Sequence, residues 1–120
     1  MTRSDAPRLA DYLGHILQAI GRINEYVQGM DKATFSEDHR TQDAVIRNFE
    51  IIGEASRNIE KRYPEFAQDH ADVPWAVAYE MRNVLAHGYF TVDLNVVWRT
   101  INKDLPGLEE KIRGLQENVR

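Results

Sequence analysis

Apolar residues return every three or four positions along most of this chain, and no stretch of useful length alternates with period two. That pattern admits helices and leaves strands no place to start. Leu9, Leu13, Ile16, Ile20, Ile23, Val27 and Met30 predict an amphipathic helix over Asp5 to Gln28. Ser4 or Asp5 is placed to cap it, Pro7 is tolerated in its first turn, and Gly29 is a natural stop. Asp31 to Asp38 reads as a connection anchored by Phe35. A second helix starts between Ser36 and Thr41. Val45, Phe49, Ile52, Ile59 and Tyr63 mark its buried stripe, with Ser56 as a small break, and Pro64 ends it because the residue before proline avoids helical geometry. Pro64 to Val73 reads as a short polar link.

A third helix follows, with Asp72 as its cap, Pro74 early in it, and Val77, Ala78, Met81, Val84 and Leu85 as its apolar face. Asp93 opens the last helical region, where Val97, Ile101, Leu105, Leu108, Ile112, Leu115 and Val119 keep a heptad-like spacing. Pro106 interrupts that stripe. Asp104 is placed to recap the chain there, so a kink or two abutting helices is expected. The expected fold is all-α: an up-and-down four-helix bundle with a kinked or split C-terminal helix, a single domain over residues 1–120.

Composition narrows the function classes. With 120 residues there is material for one core. No run of about 18 apolar residues is present, so no membrane-spanning helix is expected. The first residues, Met1 to Asp5, carry no apolar signal region, and a cytoplasmic protein is the simplest expectation. With no cysteine there are no disulfides, no thiolate chemistry and no Cys-type zinc site. The net charge of −4 argues against a protein that coats nucleic acid non-specifically, though it permits a local basic cleft.

The chemistry-bearing stretch is Met81 to Phe90, which packs Arg82, Asn83, His87 and Tyr89 into eight positions. It reads as a helix end, with Gly88 as the residue beyond the last turn. His87 would sit near the negative end of the helix dipole, which favours imidazolium and suits acid/base or phosphate-binding work. RNA carries its own nucleophile, the 2′-hydroxyl. A metal-free ribonuclease needs a base for that proton, an acid for the leaving oxygen, and cations for the developing charge. His87 can move protons near neutral pH, Arg82 can hold a phosphate through two parallel hydrogen bonds, and Asn83 can support the histidine. Five residues on an ideal helix rotate by roughly 500°, leaving Arg82 and His87 about 140° apart. Either the helix unwinds at His87-Gly88, or two copies of the chain build the site together. A cap with a surface salt bridge is the plain structural reading of the same residues.

The same stretch resembles the signature of HEPN-domain ribonucleases, specifically the HepT-type toxins of toxin–antitoxin pairs: Arg82, four residues, His87, one residue, Tyr89. Asp11 to Leu17, Thr41 to Arg47, Glu50 to Ala55, Pro74-Trp75 and Val92-Asp93 through Val97-Trp98 look like that family in its order. The resemblance runs from about Leu9 to Leu108. It implies a metal-independent RNA endonuclease, needing no cofactor, whose Arg/His site lies at a homodimer interface. It also implies a cognate minimal nucleotidyltransferase antitoxin, which would use ATP and attach AMP to Tyr89. On the residues alone, Tyr89 reads equally well as a tyrosine plugging the core with its hydroxyl at the surface.

Other polar residues weigh less. Arg47, with Arg57, Lys61 and Arg62, offers either an RNA-contacting surface or a solvated face paired with Glu50, Glu54 and Glu60. His15 reads as a packed or bundle-edge histidine, His39 and His70 as solvated. Trp75 and Trp98 read as core or interface anchors. No metal-ligand spacing is evident. Two rivals to the enzyme remain: a non-catalytic HEPN-like module that binds a nucleotide or a nucleotidyltransferase, and a purely structural helical dimer.

Overall fold

A computed structural model describes residues 8–75 and 93–119. Among these, every regular element is helical. In chain order they are α1 (Leu9–Tyr26), α2 (Lys32–Glu37), α3 (His39–Arg62), α4 (Pro64–Asp69), α5 (Leu94–Arg99), a π-helical turn (Thr100–Asp104) and α6 (Leu105–Asn118). The molecule measures 52 × 27 × 27 Å. Its 24-residue α3 alone spans about 36 Å.

The predicted stripes are the core. Leu13, Ile16, Ile20 and Ile23 of α1 meet Val45, Phe49, Ile52 and Ile59 of α3, and Leu105, Leu108 and Ile112 of α6 close on α1; all are buried. Each such aliphatic side chain contributes about 1.5–3 kcal/mol on leaving water. Tyr63 ends the α3 stripe half-buried.

The helix ends correct several expectations. Ser4 and Asp5, the expected caps of the first helix, lie outside the described residues. Arg8 is extended, the helix begins at Leu9, and the Arg8 backbone N–H donates to the Asp11 carboxylate at 2.9 Å. Gly29 takes φ +78°, the one positive-φ position among the described residues, and turns the chain out of α1 as expected. The connection after it is itself helical: the Asp31 carboxylate accepts the Thr34 N–H at 2.8 Å and starts α2 around the buried Phe35. Asp38 starts α3 in the same way, accepting the Thr41 N–H at 3.0 Å. These backbone hydrogen bonds, chiefly those from Thr34 and Thr41, hold both carboxyls below the ordinary aspartate range.

Pro64 ends α3 and also opens α4, because a first-turn residue needs no N–H. The expected polar link is therefore mostly helix. Asp93 caps α5, accepting the Asn95 N–H at 2.9 Å. Asp104 makes no capping bond. Instead residues 100–104 widen into the π turn, in which the Leu105 N–H reaches the Thr100 carbonyl. Pro106 lacks the N–H that an uninterrupted α-helix would use there, and the wider turn absorbs the mismatch. The side chains of Thr100 and Asn102 bond the Val96 and Trp98 carbonyls at 2.8 and 2.9 Å. The C-terminal helix therefore runs on as one joined rod from Leu94 to Asn118, and the interruption expected near Pro106 takes the form of this π turn.

Candidate functional site

Arg82, Asn83, His87 and Tyr89 lie outside the described residues, as does the expected third helix beyond Trp75. The structure describes the supports on either side of them. On the approach, Trp75 is buried, and its indole N–H donates to the His70 carbonyl at 3.2 Å. The Val73 N–H donates to the same carbonyl at 3.0 Å, and the Trp75 N–H to the Val73 carbonyl at 2.8 Å. Phe66 packs against both rings, 4.6 Å from His70 and 6.5 Å from Trp75. Lys111 of α6 donates to the Asp72 carbonyl at 2.6 Å, tying this approach to the C-terminal helix. On the far side, the Asp93 cap fixes the start of α5, and Trp98 stacks on Phe35 at 5.1 Å. Both tryptophans therefore act as anchors within the bundle.

Arg47 is exposed on α3. Among the described residues it forms no ion pair, and neither do Lys61 and Arg62; the expected pairing with Glu50, Glu54 and Glu60 is not made by these three. Such exposed pairs are worth only about 0–1 kcal/mol, so little holds the side chains together. His39 is exposed. His15 is exposed and meets the Tyr12 ring edge-on at 6.3 Å. His70, expected in solvent, is half-buried by its stack on Phe66. Among the described residues no group of three or more His, Asp or Glu could hold a metal ion, and no helix is long and apolar enough to cross a membrane.

Two features had no clear signal in the sequence. Asn48 and Ser56 are buried on α3. The Asn48 amide donates to the Ala44 carbonyl at 2.8 Å, while its Oδ1 and the Ser56 hydroxyl have no partner among the described residues. A cleft of about 440 Å³ also opens between the end of α3, α4 and residues 71–75, with Glu60 and Gln68 among its lining. In the sequence Glu60 enters only as a possible partner of the α3 cations on a solvated face, and Gln68 falls in the expected polar link. The cleft exists because the turn at Pro64 folds α4 back toward Trp75.

Among the described residues the fold is that of a small all-α bundle. The family described as "Ribonuclease HepT-like" matches residues 16–115, and the chain belongs to it. It is 42% identical over 107 residues to "Probable ribonuclease HepT" of Thermococcus cleftensis, covering 89% of this chain and 94% of that protein. It is 40% identical over 109 residues to a protein of Caldanaerobacter subterraneus subsp. tengcongensis provisionally named an RNase, covering 91% and 95%. A Methanocaldococcus jannaschii protein, whose name joins a gamma-glutamylcyclotransferase to a provisional RNase, is 41% identical over 108 residues. That match covers 90% of this chain, which spans about half, 47%, of the longer protein. No solved structure matches.

Proposed function

We propose that this chain is a metal-independent endoribonuclease acting as the toxin of a toxin–antitoxin pair. The observation that carries the reading is the family match over residues 16–115, which spans the whole Arg82–His87–Tyr89 motif. Two protomers would bring their motifs together. His87 of one takes the 2′-hydroxyl proton, the freed oxygen bonds to phosphorus, and the P–O5′ bond breaks. The departing 5′-oxygen takes its proton from His87 of the partner subunit. Arg82 holds the phosphoryl oxygens as their charge grows, and Asn83 supports the histidine. The products are a 2′,3′-cyclic phosphate and a 5′-hydroxyl. Arg47 on α3 adds a phosphate contact.

The partner is a small nucleotidyltransferase antitoxin, which transfers AMP from ATP to Tyr89. A phosphate and an adenine two residues from His87 would fill an RNA cleft and offset its cations. The test is RNA cleavage in excess EDTA by protein expressed without that partner and shown by intact mass to be unmodified. The wild type cuts, and His87→Ala loses at least about 100-fold. A wild type that cuts none of a broad panel, total tRNA included, overturns the nuclease. The same residues would then be contacts of a nucleotide- or nucleotidyltransferase-binding module.

A further inference from the structure

We propose that the cleft between α3, α4 and residues 71–75 is a subsite for a guanine base. Its walls are apolar and stiff. Pro64 and Pro74 have fixed backbones, Ala67 and Val73 are buried, and Trp75 presents an indole whose N–H is already engaged by the His70 carbonyl. At about 440 Å³ the space takes a planar heterocycle with room for part of its ribose. Such walls suit the faces of an aromatic ring and offer nothing to a free phosphate or a metal ion.

The rim supplies the edge contacts. Glu60 and Gln68 are exposed, and among the described residues neither has a hydrogen bond or ion pair. A carboxylate is an acceptor only, with two oxygens side by side. Guanine matches it with two adjacent donors, N1–H and the N2 amino group. Adenine, cytosine and uracil each set a single donor group beside acceptors on the same edge. The Gln68 amide can donate to guanine O6. A carboxylate repels phosphate, so Glu60 acts on which base is held and adds little to overall RNA affinity.

RNA as the ligand rests on the ribonuclease reading above. Trp75 and Arg82 are seven residues apart, which limits their separation to about 25 Å on any path of the chain. A base in this cleft is then a few nucleotides at most from the Arg82 phosphate contact.

The binding can be measured without cleavage, because a mononucleotide has no scissile linkage. The protein has two tryptophans, so Trp98→Phe leaves Trp75 as the sole reporter at the cleft wall. Titration with 5′-GMP should change its emission, with binding at least tenfold tighter than 5′-AMP, 5′-CMP or 5′-UMP. Glu60→Gln should lose about 10–100-fold for GMP. Saturation-transfer NMR of GMP on the wild type reads the same contact should Trp98→Phe fold poorly. Equal binding of the four nucleotides, no binding of any, or unchanged GMP binding in Glu60→Gln overturns the subsite. GMP binding by a protein that cuts no RNA keeps the subsite and removes only the nuclease.

Discussion

Ser56 is fully buried on α3, and among the described residues its hydroxyl has no hydrogen-bond partner. A serine inside a helix usually relieves this by bonding the carbonyl four residues back. Here the hydroxyl is desolvated and gains nothing in return. Ser56→Ala should therefore stabilise the protein by about 1 kcal/mol, through the removed desolvation cost and the better helix propensity of alanine. A thermal melt checks it: a rise of a few degrees is expected, and a fall would show that the hydroxyl has a use. Asn48 differs, since its amide still donates to the Ala44 carbonyl. Single residues were legible where size decides. Phe35, Trp75 and Trp98 could be read as anchors because large aromatic rings must find cover. Unpaired atoms at Asn48 and Ser56 could not, since a missing partner is a property of neighbours brought in by the fold. For the same reason Glu60 and Gln68 read as ordinary surface residues.

Long helices announce themselves through their stripes, and α1, α3 and the 94–118 rod follow theirs closely. The helix start at Asp93 was also legible, because it precedes an apolar run by the right spacing, whereas the start of α3 was bracketed between Ser36 and Thr41 with Asp38 not singled out. Two short helices were not. α2 and α4 have six residues each, too few to show a period, and exist because Asp31 and Pro64 start them locally. The π turn was foreseen only as a break at Pro106. Two glycines allow opposite forecasts. Gly29 sits at φ +78° with open space around it, so Gly29→Ala meets no clash and costs only backbone strain, about 1–2 kcal/mol. Gly21 lies inside α1, exposed, with nothing within 4 Å of an added methyl. Gly21→Ala should then stabilise by about 0.5–1 kcal/mol. Denaturant melts of the two variants should move in opposite directions, and a shared sign would contradict the assigned backbone.

At the scale of the whole molecule the proposed site requires a pair of chains. One protomer has a single motif histidine, whereas cleavage employs both a base and an acid. On an ideal helix Arg82 and His87 also point about 140° apart, so facing copies bring the groups together more readily than one copy can. This has a quantitative consequence. Let wild type and His87→Ala be unfolded together, refolded and allowed to pair at random. If each reaction needs both histidines, only wild-type pairs cut, and activity follows the square of the wild-type fraction. An equal mixture should retain about one quarter of the wild-type rate. Independent protomers would retain about one half. Activity measured across a series of mixing ratios separates the two curves, and a straight line would place the complete site within a single chain. Separate stocks mixed without unfolding serve as the control: with slow exchange they follow the straight line in either case, so the curvature must appear only after the subunits have been shuffled.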